Sequence, residues 1–168
     1  MIRRVIASTV CGIAVTAATL GVLTVPGHAA SKPDPCKLLK TSEISKQFGG
    51  ATVSPGEKDL TTPVSAGCKF AVAASGSQPD GDVTVRVMTT GAKVAYAGLK
   101  NLASAGYAPV PGVANSLWND KTKSLSLLKG NTLVTVQSLF TSLDSSSVQT
   151  LDTQAQSLAL VKIAQKRV

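Results

Sequence analysis

Histidine is almost missing from this 168-residue chain, and the single one, His28, lies in a segment that reads as an export signal. Without histidine, neither a Ser-His-Asp nor a Cys-His catalytic site can be assembled, and a histidine-bearing zinc site is excluded as well. Aromatic residues are scarce too: one tryptophan, two tyrosines and three phenylalanines. The lysines run from Lys32 to Lys166 with no dense block. Nucleic-acid binding wants a concentrated basic stripe and stacking platforms, and this chain has neither. No Gly-x-x-x-x-Gly-Lys run is present to cradle phosphate.

The nine acidic residues are spread thinly, with Glu57 and Asp59 in one loop and Asp80 and Asp82 in a turn. These read as solvated groups rather than an acid and base pair. Ser42 and Lys46 stand one helical turn apart but lack Ser-x-x-Lys spacing. An enzyme is not expected, and the composition calls for no cofactor and no metal.

The amino terminus supplies the setting. Met1, Arg3 and Arg4 form a basic start, Val5 to Val25 carry no charge, and Gly27 and Ala29 place small residues at the −3 and −1 positions of a cut before Ala30. Residues 1–29 are read as a signal peptide and residues 30–168 as a single secreted domain, long enough for one continuous core. After cleavage no stable membrane span is expected, and the working place is the cell envelope or the medium. Cys11 lies inside the apolar run, where no lipid anchor would use it. With Arg3 and Arg4 gone, the remainder carries about +6 at neutral pH, which favours solubility and mild attraction to anionic polymers.

Past Cys11, only Cys36 and Cys68 remain. In an oxidising compartment one disulfide between them is the default, worth about 3–4 kcal/mol on the chain-entropy account. Cys-x-x-Cys spacing and co-ligands for a redox or metal pair are missing.

Along the domain, Asp34-Pro35 opens a helix, and Thr41 or Ser42 re-caps a second in which Ile44 and Phe48 share a face before Gly49-Gly50. Residues 51–66 show no periodicity and read as a mobile loop. Cys68 to Ala73 and the alternating Val83, Val85 and Val87 form a hairpin about a turn at Ser75 to Gly81. Lys93 to Ala105 is helical, with Ala95, Leu99 and Leu102 on one side and Gly106 at its end. A short strand ends at Trp118, and Leu125 and Leu127 lead through Gly130-Asn131 into a return strand at Leu133, Val134 and Val136. The last helix is expected to start near Asp144, with Leu143 and Val148 stapled across its start or a Ser146–Gln149 capping box. Val148, Leu151, Ala155, Leu158 and Ala159 form its core stripe, and Lys162, Lys166 and Arg167 suit its negative end. The fold class is α+β, an antiparallel sheet of about five strands backed by helices.

Asp34-Pro35-Cys36-Lys37-Leu38-Leu39, Cys68-Lys69-Phe70, Val110-Pro111-Gly112-Val113-Ala114 leading to Trp118, and Leu128-Lys129-Gly130-Asn131 with its following strand together resemble a family of exported actinobacterial proteins and lipoproteins, domain of unknown function 3558. The likeness covers nearly all of residues 30–168. It implies a Cys36–Cys68 bond and a sheet backed by helices, and it offers no catalytic residues to carry over. Two positions depart from the pattern: no lipobox is present, and Phe70 stands where members often carry tryptophan.

The function expected is a secreted, non-catalytic binding or sensing domain, with an envelope protein, a wall polymer or a small apolar ligand as partner. The domain is expected to be a monomer. A binding surface is placed at Pro109, Pro111, Val113 and Trp118, on one face with residues 51–66, because prolines hold backbone exposed there. Trp118, Tyr96 and Tyr107 are the aromatics available to line a groove, although a structural role suits Trp118 better. One alternative is a carrier for a small apolar or amphiphilic molecule between the sheet and the last helix, where Ala95, Ala103, Ala155 and Ala159 leave room. The other is a secreted protease inhibitor with a loop near Cys68.

Overall fold

Alternation of apolar and polar residues sends successive side chains to opposite faces of a strand, so Val83, Val85 and Val87 mark a buried face that Thr84 and Arg86 cannot share. A computed structural model describes residues 33–76, 79–144, 147–150 and 152–168, with side chains outside 142–150, and builds an antiparallel sheet on this pattern. Its strands are β1 (Glu57–Asp59), β2 (Ser65–Val72), β3 (Gly81–Met88), β4 (Tyr107–Pro109), β5 (Ser116–Asn119), β6 (Ser124–Lys129), β7 (Thr132–Asp144) and β8 (Ser147–Thr150). Seven of them lie in the order β1-β2-β3-β7-β6-β5-β4, and β8 pairs only with the far end of β7. The α+β class and the single disulfide are as read. The strand count exceeds about five because β1, β4 and β8 are too short to carry a periodic signal.

Three helices accompany the sheet: α1 (Thr41–Gln47), α2 (Ala92–Lys100) and α3 (Gln154–Gln165). Ahead of α1, Pro35–Lys37 is a single 3-10 turn whose first free amide, Cys36 N–H, donates to Asp34 Oδ1. Ile44 and Phe48 meet the core as their spacing implies, and Gly49 and Gly50, both at positive φ, end α1. On the sheet face formed by Phe70, Val85, Val136 and Phe140, α1 and α3 seal the main core through Ile44, Phe48, Leu160, Val161 and Ala164. A polar pin sits inside it. Ser157 Oγ donates to Ser138 Oγ at 2.9 Å and Thr153 Oγ1 donates to the Ser138 carbonyl at 2.8 Å, so α3 is keyed to β7.

The carboxy-terminal region departs from expectation. Residues up to Asp144 continue β7, and Leu143 and Val148, expected to staple a helix, are partners across the β7–β8 hairpin instead. Ser146 and Leu151 lie outside the described residues, as do residues 1–32. The buried face of α3 is Ser157, Leu160, Val161 and Ala164, whereas Ala155 is exposed and Leu158 and Ala159 are half-buried. The helix offers two stripes at helical spacing, and the contacts with Ser138 and with the Leu127 carbonyl lie on the one that is buried.

Residues 51–66 are better organised than their sequence implies. Ser54 N–H donates to the Ala71 carbonyl, Ala73 N–H donates to the Thr52 carbonyl, and β1 pairs with β2. This edge is built from backbone bonds, which need no side-chain pattern.

Arg167 does not merely face the end of α3. Its Nη1 donates to the Leu38 carbonyl at 2.7 Å and to Glu43 Oε2 at 2.8 Å, and its Nη2 bonds Glu43 Oε1, tying the last residues to α1. The Arg167 guanidinium, aided by the Lys40 N–H, holds the Glu43 carboxyl below its ordinary range. A depressed carboxyl stabilises the fold above its unfolded pKa of about 4.3 and loses that contribution as pH falls through the lower folded value. Arg167→Ala is expected to cost about 1–2 kcal/mol at pH 7. Urea titrations at neutral pH and near pH 3 should show that gap shrink in acid, and a gap that stays constant would locate the effect in lost packing instead.

Candidate ligand groove on the open sheet face

The sheet's other face is only partly covered. α2 lies over one end, where Ala92 and Tyr96 pack on Leu117 and Leu133 with Met88, Ala95, Leu99, Tyr107 and Leu128 around them. Beyond this apolar patch the strand register lines up polar residues. One row runs Lys69, Thr84, Gln137, Ser124, Asn119, Tyr107, and the next runs Gly67, Arg86, Thr135, Ser126, Leu117. Apart from Gly67, Tyr107 and Leu117, these are the polar members of alternations whose apolar members fill the main core, so burying one face forces the hydroxyls onto the other.

Two adjoining cavities open on these rows and share Arg86, Tyr107 and Thr135. The polar one, about 200 Å³, is further lined by Thr84, Thr122, Ser124 and Gln137. The apolar one, about 280 Å³, extends under α2 beside Met88, Ala95, Leu99 and Leu133. A larger depression of about 530 Å³ lies along Ser54, Ala71, Asp80 and Asp82.

The polar lobe is largely bonded to itself. Gln137 Nε2 donates to the Thr122 carbonyl at 2.7 Å, the Thr122 and Ser124 hydroxyls lie 2.8 Å apart, and those of Ser126 and Thr135 lie 2.9 Å apart. Asn119 Oδ1 accepts from the Lys121 and Thr122 amides and fixes the turn that carries Thr122. Thr84 is the buried exception. It is 9% exposed, and among the described residues its hydroxyl has no hydrogen-bond partner.

Charge at the rim is paired. Arg86 Nη2 donates to Asp59 Oδ2 at 3.0 Å, and Lys69 Nζ lies 3.0 Å from Asp82 Oδ2. The Leu60 backbone amide and then Arg86 hold the Asp59 carboxyl below its ordinary range. Among the described residues no three histidine, cysteine or acidic side chains converge as a metal site would require.

The surface expected from the sequence is rearranged. Pro109 and Pro111 are exposed and Val113 is half-buried, but Trp118 is 7% exposed and belongs to the main core. Residues 51–66 carry β1 and the start of β2, and Pro109 ends β4; β1 and β4 are the opposite edges of the sheet with five strands between them, so the two segments form no common patch. Of the three aromatics named for a groove, Tyr107 lines it and Tyr96, on α2, is buried against Leu117 and Leu133. Thr84, Arg86, Thr122, Ser124 and Gln137 were not singled out in the sequence. The signal for them was Thr84, Arg86, Ser124 and Gln137 at alternating strand positions, with Thr122 in the turn before β6.

No family model, curated protein or solved structure matches the chain.

Proposed function

We propose that this protein is a secreted, disulfide-stabilised binding or sensing domain of the cell envelope that carries out no chemistry of its own, in keeping with the family it resembles. Its ligand surface is the groove between α2 and the polar rows of the sheet. The observation that carries this is the asymmetry of the two sheet faces. One is sealed by α1 and α3, and the other keeps a two-lobed, hydroxyl-lined groove that α2 leaves uncovered. Concave sites with a mostly apolar wall and a few convergent polar groups are where small ligands bind.

The carrier reading gains from the same groove, with its space under α2. Between the sheet and α3 the side chains Ser157, Leu160, Val161 and Ala164 are buried, while Ala103 and Ala155, invoked to make room there, are exposed.

The test is to secrete the chain from an actinobacterial host, confirm by mass that the exported form begins at Ala30 and is oxidised, and titrate fractionated envelope extract into it. Amide shifts confined to Thr84, Arg86, Tyr107 and Gln137 are expected. Shifts confined to Pro109–Val113, or none with any fraction, would sink the assignment.

A further inference from the structure

Resting on that reading of the groove, we infer that its ligand is an uncharged sugar bearing an apolar substituent. The sugar ring lies in the lobe around Thr84 and the substituent lies under α2.

The unpartnered Thr84 hydroxyl is the first observation. A buried hydroxyl without a partner is unfavourable unless water or a ligand bonds it, and this one stands in a cavity wide enough for either. The chemistry of the surrounding wall narrows the choice. Hydroxyl and amide groups both donate and accept, which suits a ring of alternating hydroxyls. A carboxylate or phosphate only accepts, and beside Arg86 it would meet the Asp59 carboxylate as a like charge. An ammonium group only donates and would meet Arg86 as a like charge. A neutral, polyhydroxylated ligand leaves the Arg86–Asp59 pair intact and still takes the remaining guanidinium hydrogens.

The second observation is the division of the groove. Tyr107 belongs to both lobes, so one ring borders the hydroxyl floor and the apolar pocket together. Its face can carry the apolar side of a sugar ring, and a phenolic hydroxyl both donates and accepts. Beyond it, Met88, Ala95, Leu99 and Leu133 surround space for an alkyl or aryl group of modest size.

The exported, oxidised protein should be titrated calorimetrically with octyl glucoside and octyl galactoside below their micelle concentrations, with the free sugars and octanol as matched halves. At least one glycoside is expected to bind roughly tenfold or more tighter than either half. Thr84→Val should weaken it roughly fivefold, the loss expected for one hydrogen bond. The same variant should melt at or above the wild-type temperature, which separates lost binding from lost folding. Octanol binding as well as the glycosides, with Thr84→Val indifferent, would overturn the inference and leave water as the partner of Thr84. Binding by neither glycoside would also overturn it. The groove assignment would survive both results if envelope extract still shifted the Thr84 and Tyr107 amides.

Discussion

Replacing Cys36 and Cys68 together by alanine is expected to destabilise the protein by about 3–4 kcal/mol. The bond joins residues 32 apart and constrains the unfolded chain accordingly. It also acts at a vulnerable place. Cys36 belongs to a single 3-10 turn, too short to hold itself, and Cys68 is 0% exposed in β2 next to the edge strand β1. Besides the bond, the amino-terminal turn is secured by Leu38 and Leu39 in the core and by Arg167 at the Leu38 carbonyl. For a domain whose total stability is about 5–15 kcal/mol, the loss is a large fraction. Urea unfolding of the double variant, and of the wild type with reductant, should move the midpoint down by roughly 1–3 M. A loss under about 1 kcal/mol would mean the turn is already held by its packing.

The same comparison has a functional side. β2 carries Lys69 and borders β3, which carries Thr84 and Arg86, and β1 carries the Asp59 that pairs with Arg86. Loosening the β1–β2 edge therefore acts on the charged rim of the groove. The central polar row on β7 and β6 lies beyond β3 and has its own bonds among Gln137, Thr122 and Ser124. Binding that survives reduction would place the ligand on that row, and binding lost at a reductant level where the fold persists would place it against Arg86.

What was legible in the sequence was local. The Asp34 cap, the Ile44–Phe48 pair, the Gly130-Asn131 turn and the valine alternation each act within a few residues, and each stands where its pattern implies. The disulfide was legible because only two cysteines remained past Cys11. What escaped depends on distant partners. β1 forms because β2 offers backbone groups, and the phase of α3 is set by Ser138, far away in the chain. The groove needs the strand order as well. Thr84, Gln137 and Ser124 become neighbours only when β7 is inserted between β3 and β6, and no periodicity announces that insertion. Trp118 was placed on a binding surface although a structural role suited it better, and it lies in the main core, because its position after an exposed, proline-rich hairpin says nothing of the face onto which β5 turns it.

Phe140→Ala is expected to cost about 3–5 kcal/mol, comparable to losing the disulfide. Phe140 is wholly buried near the end of the β3–β7 pairing, opposite Gly81, with its ring centroid 4.5 Å from that of Phe48 on α1. One side chain thus joins α1, β3 and β7, and it does so by lying across a glycine. A Cβ at position 81 would fall inside contact distance of the Phe140 ring and 2.6 Å from the Leu139 carbonyl. Gly81→Ala alone should therefore cost about 1–3 kcal/mol through displacement of a ring that has no free space. In the Phe140→Ala background the ring is gone and the added methyl partly fills the void, while the clash with the Leu139 carbonyl persists. The Gly81→Ala penalty should fall there by at least about 1 kcal/mol. Four urea curves complete the cycle: coupling of that size makes the ring on the glycine the fastening of the sheet to α1, and strict additivity would assign the cost of Gly81→Ala to the backbone carbonyl alone.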